Sequence, residues 1–301
     1  MNSKVELTLG PLLFNWSNDQ VRDFYYQIAD ETPISRVYIG EVVCSKRLPF
    51  RTEVFPQVIE RLAAGGKQVI FSSLAMVTNK SERRALAELC GQDDFEVEVN
   101  DLTAHRHLAG RRHILGPYLN IYNEESLGAL MKRGAYRLVV APELPAEKLA
   151  KIIQARPDCE MEIQAFGRLP LALSARCYHA RIHGLTKDSC RFVCDQDPDG
   201  LTLQTLAGQE FMAVNGIQTL SDKFQNLMSD LPTLTALGVK ALRISPHSRN
   251  TPEIIRLFDD LLQGRRTVEE AQSKVASYYP EMSFANGFLH GKAGMDLVAA
   301  S

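Results

Sequence analysis

Much that would announce a function is missing from this chain. No apolar run approaches the roughly 18 residues that suggest a membrane span. The opening, MNSKVELTLG, lacks the charged head and long apolar stretch of a signal peptide, so a cytoplasmic protein is expected. An excess of one charge is missing too. With 34 Lys and Arg against 36 Asp and Glu, the net charge of −2 gives no electrostatic case for a nucleic-acid partner. No G-x-S-x-G, H-E-x-x-H, Walker loop or dinucleotide fingerprint occurs, which removes most support for conventional hydrolase and NTPase readings. Low-complexity stretches and obvious linkers are also lacking, so a single domain over residues 1–301 is expected. Cysteine is sparse, at six residues. In a reducing compartment these read as thiols or metal ligands and not as disulfides.

What is present is a hydrophobic pattern that switches repeatedly between period two and period 3.6. Short β-branched runs recur at 5–9, 36–40, 68–72, 95–99, 113–119, 137–141, 160–166 and 241–245. Most are followed by a segment of helical character. Ser17 with Gln20 has the form of a capping box before VRDFYYQIA, and RTEVFPQVIERLAAGG ends on a glycine pair that closes a helix. Strands spaced near thirty residues apart with helices between them predict βα units on a parallel sheet. Eight such strands predict a (β/α)8 TIM-barrel-like fold, although 95–119 lacks room for a full helix. The repeat breaks after Phe166. Residues at about 168–240 hold a cysteine-bearing stretch, a strand pair (LTLQTLAG and QEFMAVNG) and one helix. They read as an insertion before the last strand.

The cysteines divide into two groups. Cys90 falls inside a helix pattern and Cys159 at a strand start, and both read as small buried hydrophobes. Cys177, Cys190 and Cys194 crowd into CYHARIHGLTKDSCRFVC. Cys44, in RVYIGEVVCSKR, lies just past the second strand. Strand C-terminal ends form the functional mouth of a βα barrel, and the insertion leaves the seventh strand at that same end. Two separate lines of reasoning therefore bring four thiols together. Structural zinc usually shows paired C-x2–4-C knuckles, whereas here a C-x3-C pair stands twelve residues beyond a lone cysteine. Iron–sulfur clusters accept scattered thiolates, and spacing alone leaves iron–sulfur and zinc both open.

Other candidates are weaker. Asp195, Asp197 and Asp199 before Gly200 imitate an EF-hand opening, but Leu206 stands where the bidentate Glu should be, so a turn is expected. His105, His107 and His113, with Arg106, Arg111 and Arg112, read as a solvated basic loop in preference to a metal or anion site. Arg168 and Arg243, near the ends of the seventh and last strands, read equally as binders of a carboxylated small molecule or as rim ion-pair partners.

The stretches GPLLFNW (10–16), GPYLNIYN (116–123), IGEVVCSKR and the C-x12-C-x3-C trio together resemble the collagenase-like peptidase family, and within it a short branch acting in quinone biosynthesis. The resemblance runs from the first strand to FANGFLHGK. It implies a 4Fe–4S cluster held by Cys44, Cys177, Cys190 and Cys194, and it is this resemblance that favours iron over zinc. It further implies a heterodimer with a UbiU-like partner carrying its own cluster. Such a pair would hydroxylate the ring of ubiquinone precursors without molecular oxygen, with prephenate as an oxygen source. An isoprenoid substrate for a chain without a membrane span implies a lipid-binding accessory protein or brief membrane contact. Longer relatives hydroxylate RNA bases, and the family name implies proteolysis. The slight acidity and shortness of this chain favour the quinone branch, and it shows no nucleophile–base pair or zinc-hydrolase motif.

Overall fold

The structure, a computed structural model, describes residues 5–299. The chain alternates strand and helix from β1 (Glu6–Leu9) and α1 (Asn18–Glu31) through β2 (Arg36–Ile39), α2 (Leu48–Ala64), β3 (Gln68–Ser72) and α3 (Lys80–Cys90). It continues with β4 (Glu96–Val99), a six-residue α4 (Leu102–His107), β5 (His113–Leu115), α5 (Glu124–Met131), β6 (Ala135–Val139) and α6 (Ala146–Ala155). The long β7 (Glu160–Leu173) follows. Each strand from β1 to β7 pairs in parallel with the next. The last barrel strand, β11 (Ala241–Ile244), pairs in parallel with both β7 and β1. The sheet therefore closes on itself as an eight-stranded parallel barrel. The expected (β/α)8 architecture is present, and α4 is short where the sequence left little room.

Local signals placed the helices. Ser17 accepts a hydrogen bond from the Gln20 amide while the Gln20 side chain accepts from the Ser17 amide, which satisfies two orphan donors at the start of α1. Asn79 and Glu82 do the same for α3. Outside the barrel, apolar faces of strands and helices merge into one core that includes Leu9, Tyr25, Ile28, Leu62, Leu127, Ile163 and Phe258. Removing such side chains from water is the main driving force of the fold, at roughly 1.5–3 kcal/mol per fully buried large residue.

The barrel interior is different. Inward side chains from seven strands form a lattice of charges and hydroxyls. Glu162 accepts from Thr8 Oγ1 at 2.8 Å, Tyr38 Oη at 2.7 Å, Arg137 Nη1 at 2.9 Å and Arg243 Nε at 2.7 Å. Arg243 Nη1 pairs with Glu98 at 2.7 Å, and Glu98 accepts from Ser72 Oγ at 2.6 Å. Buried charges persist only when paired in this way.

The stretch at about 168–240 leaves the barrel through β7 itself, which does not stop at Phe166 as expected but runs on to Leu173. Gly167 adopts a φ of 109°, and a Cβ there would lie 2.7 Å from the Ser245 Cβ, so the strand turns out of the barrel at a residue without a side chain. Beyond it come α7 (Tyr178–Ile182), β8 (Leu201–Gln204), β9 (Glu210–Asn215) and β10 (Gln218–Asn226). The expected strand pair is β8–β9, and β10, which the sequence did not reveal, joins it to β7 in antiparallel pairing. Then α8 (Leu231–Leu237) leads into β11, followed by α9 (Thr251–Leu262), α10 (Val268–Tyr278) and a two-residue β12 (Phe284–Ala285) beside β10. Among the described residues no helix is long and apolar enough to cross a membrane.

Candidate metal centre

Cys44 ends the loop that leaves β2. The buried Glu41 carboxylate accepts hydrogen bonds from the Val43 and Cys44 amides, at 3.0 and 2.9 Å, which fixes the backbone from which the thiol projects. A short 3-10 turn, Ser45–Arg47, follows directly. Arg47, only 1% exposed, ties barrel and insertion together. It donates to the Leu13 carbonyl at 3.2 Å, to Asn215 Oδ1 at 2.7 Å and to the Cys194 sulfur at 3.4 Å, and it faces Glu41 at 3.8 Å.

From the insertion, Cys177 caps α7, and its sulfur accepts from the Ala180 amide at 3.4 Å. Cys190 and Cys194 are not joined by one α-helical turn. Arg191 and Phe192 both adopt left-handed backbone, with φ of 49° and 56°, before a 3-10 turn at Val193–Asp195. Two consecutive non-glycine residues in that region cost roughly 1–2 kcal/mol each. The Phe192 ring seats against Phe50 of α2, 4.8 Å between centroids, and helps hold the strained turn. Asn215 donates to the carbonyls of Cys194 and Asp197, each at 2.9 Å, closing the loop against β9.

All four thiols line one cleft, together with Lys46, Arg47 and Lys187. Gly216 forms part of its wall with a φ of 68°, where a Cβ would lie 2.6 Å from Arg47 Nη2. Burial pushes the Cys44 and Cys177 thiols up, with Arg47 pulling both the other way. The neighbouring Cys194 and Cys190 raise Cys177 further. By contrast Cys90 and Cys159 sit in separate apolar clusters, with pKa values pushed up to about 11 and 12 by burial. Their expected role as buried hydrophobes matches this placement.

A second ligand set was not noticed in the sequence. His179, His183 and Asp197 offer ligand atoms within 4.8 Å of one another and so could also hold a metal ion. His179 Nε2 lies 3.0 Å from Asp197, its Nδ1 lies 3.3 Å from the Val214 carbonyl, and its ring stacks on His183. The signal was the H-x3-H spacing inside the cysteine stretch, which places both rings on one side of α7.

The remaining candidates resolve as follows. The Asp-rich stretch is a turn, closed by the Gly200 amide to the Asp197 carbonyl at 3.0 Å, and Asp199 caps Ser248. The His–Arg segment is not simply a solvated loop. His105 Nδ1 and His113 Nε2 meet at 2.9 Å in the interior, and burial lowers both pKa values, His105 to about 4, while Arg106, His107 and Arg112 are exposed. Arg168 spends its guanidinium on the carbonyls of Asp199, Ser221 and Asp222, so it anchors the insertion. Arg243 lies inside the barrel mouth, paired to Glu98 and Glu162.

Among solved structures the chain is similar to N-acetylneuraminate lyase from Fusobacterium nucleatum (TM-score 0.48, 11% identity, 91% of this chain and 80% of that one). It is also similar to N-acetylneuraminate lyase from Mycoplasma synoviae (TM-score 0.47, 10% identity, 93% and 81%) and to dihydrodipicolinate synthase from Aquifex aeolicus (TM-score 0.43, 10% identity, 92% and 80%). Nothing about chemistry is carried over from likenesses so distant. A family model speaks to nearly the whole chain: that of peptidase family U32 matches residues 16–298, across the barrel and the cysteine-bearing insertion alike. The chain belongs to peptidase family U32.

Proposed function

We propose that this chain is a UbiV-like iron–sulfur subunit of an oxygen-independent hydroxylase, acting with a UbiU-like partner on the ring of ubiquinone precursors. The observation that carries the reading is the convergence of Cys44, Cys177, Cys190 and Cys194 on one cleft, from the β2 loop and from three points of the insertion. Four converging thiols and three adjacent cations fit a 4Fe–4S cluster, whose four thiolate-bound form carries a net charge of about −2 in its oxidised state. With all four thiolates in place such a cluster would accept or pass on single electrons and would offer no open iron for substrate.

The chain's own residues prepare that site. Glu41 orients Cys44 through two amide hydrogen bonds. The Ala180 amide and Arg47 Nη2 each donate to a cysteine sulfur, at 3.4 Å, and donors of this kind tune a cluster's potential. Lys46 donates to the carbonyls of Lys187 and Asp188, which ties the loop that bears Cys190 to the turn that follows Cys44. Hydroxylating a ring carbon removes two electrons from the ring. Two one-electron clusters, one on each subunit, would together take up the pair and pass it to an external electron acceptor, which gives a reason for two barrels to assemble. Prephenate is the candidate oxygen donor.

The test is deletion of the gene followed by growth without oxygen. Loss of ubiquinone with accumulation of an under-hydroxylated precursor supports the reading. Normal quinone together with a missing RNA-base modification rejects it in favour of the RNA branch.

A further inference from the structure

The stretch that carries Cys177, Cys190 and Cys194 also brings together two imidazoles and a carboxylate. His179 lies on α7, His183 ends it one turn further on, and Asp197 follows the 3-10 turn at Val193–Asp195. His179 is fully buried, His183 is exposed, and Asp197 lies between these extremes. One ligand atom from each falls within 4.8 Å of the other two.

His179 is the residue that calls for a ligand. Its two ring nitrogens each face an oxygen, the Val214 carbonyl 3.3 Å from Nδ1 and Asp197 Oδ2 3.0 Å from Nε2. A neutral imidazole carries one N–H, so one of these contacts sets a lone pair against an acceptor. The Val214 carbonyl takes the proton on Nδ1, because Nε2 makes no hydrogen bond of acceptable geometry among the described residues. A buried lone pair is therefore left beside a carboxylate. A second proton on the ring would supply the charge but not the angle that a hydrogen bond to Oδ2 needs. A metal ion supplies both, since it sits off the line between its ligands. With bonds of about 2.0–2.2 Å, neighbouring ligand atoms stand roughly 3–3.5 Å apart, which matches the His179–Asp197 spacing. His183 adds a third ligand. Its ring lies nearly parallel to that of His179, 5.4 Å between centroids, and its exposed side chain makes no hydrogen bond among the described residues, so it is free to turn.

We propose that His179, His183 and Asp197 bind one divalent transition-metal ion of the zinc class, separately from the four cysteines. Two imidazoles and one carboxylate select such an ion over calcium or magnesium, which take oxygen ligands. The His179 tautomer is the one a metal ligand needs: Nδ1–H donates to a backbone carbonyl and Nε2 faces the ion. Three protein ligands leave a fourth position for water. His179 and His183 lie two and six residues beyond Cys177, and Asp197 lies three beyond Cys194. The ion would thus tie together the two ends of the cysteine-bearing loop, a staple that limits the loop's freedom whatever the thiols hold. Asn215 already donates to the carbonyls of Cys194 and Asp197, so Asp197 is held in place to receive it. The site adjoins the cysteine cleft, whose wall includes His179, but takes no thiol from it.

The experiment compares the purified chain with His183→Ala, a surface change that removes no internal hydrogen bond, and with Asp197→Asn, which keeps the shape and removes the charge. Each is titrated with Zn²⁺ in calorimetry and with Co²⁺ in absorption spectroscopy, with Mg²⁺ as a control. The unaltered chain should take up one more Zn²⁺ than either variant. The extra Co²⁺ should show weak d–d bands without thiolate-to-metal charge transfer, the signature of nitrogen and oxygen ligands. Zn²⁺ should also raise the melting temperature of the unaltered chain by more than that of His183→Ala. Whatever ion the cysteines hold is common to all three proteins, so the difference between them reads this site alone. The result therefore stands apart from the cluster assignment. Equal Zn²⁺ uptake in all three proteins, charge transfer in the Co²⁺ difference spectrum, or equally tight uptake of Mg²⁺ would each overturn the proposal.

Discussion

Arg47 Nη2 stands 3.4 Å from the sulfur of Cys194 while the same nitrogen donates to Asn215 at 2.7 Å. One buried guanidinium on the loop after β2 thus supports both a thiol of the insertion and the strand behind it. Barrel and insertion meet at the cysteine cleft through a charge, and several expectations follow from who shares it.

Single replacement of Cys44, Cys177, Cys190 or Cys194 by Ala should remove most iron from protein purified without oxygen. Cys90→Ala and Cys159→Ala should retain it, because those thiols are in other parts of the core. The unaltered protein is expected to be brown and to hold about four iron and four sulfide per chain, read by metal analysis and EPR. Stoichiometric zinc without a chromophore would sink the cluster assignment.

Arg47→Ala should destabilise the chain by about 3–5 kcal/mol, because Glu41 would stay buried without its charge partner and Asn215 would lose a donor. Arg47→Lys keeps the charge but cannot serve Leu13, Asn215 and Cys194 at once, so an intermediate loss is expected. Urea unfolding measures both. An Arg47→Ala loss below 1 kcal/mol would show that the insertion is held by other contacts.

Arg243 and Arg137 hold the Glu162 carboxyl well below its ordinary value of 4.5, at about 2, against a desolvation effect that alone would raise it. The folded pKa lies below the unfolded one, so this stabilisation is full above about pH 4.5 and disappears as pH falls through about 2. Its size is on the order of 3 kcal/mol. The stability gap between the unaltered protein and Glu162→Gln should therefore narrow steadily across that window in denaturant titrations. A gap independent of pH would show that Glu162 acts by shape and not by charge.

The purified chain should show no peptidase activity of its own, despite its family's name. Under the proposed cluster assignment the four cleft thiols would be committed to iron and not free to act as nucleophiles. The place to look for a contrary result is His179, His183 and Asp197. Peptide cleavage stimulated by zinc and abolished by His183→Ala would overturn the expectation.

Much of this was legible in the residues. Period-two runs located all eight barrel strands because each must put one face into the barrel and the other under a helix. Capping residues such as Ser17 and Asn79 marked helix starts because those hydrogen bonds are local. The strand reading of 113–119 was wrong in its second half, since β5 ends at Leu115 and Gly116-Pro117 opens a 3-10 turn instead. The extension of β7 past Phe166 is hard to read from sequence because it runs through Gly167 and Pro170, residue types that rarely sit inside strands. Pro170 is tolerated because its pairing with Leu220 falls at a register shift in the ladder.

The sequence by itself determined the barrel, the separation of four cysteines from two, and their arrival at one end. Local period and spacing are enough for that. Only the tertiary structure decided that Arg47 joins the two halves of the cysteine cleft, that Arg168 is an anchor, and that Arg243 pairs with Glu98 and Glu162 in the barrel mouth. Those facts depend on which distant group fills each hydrogen-bonding position, and a guanidinium's partners come from strands far apart in the chain. No periodicity records them, because they exist only once the barrel has closed.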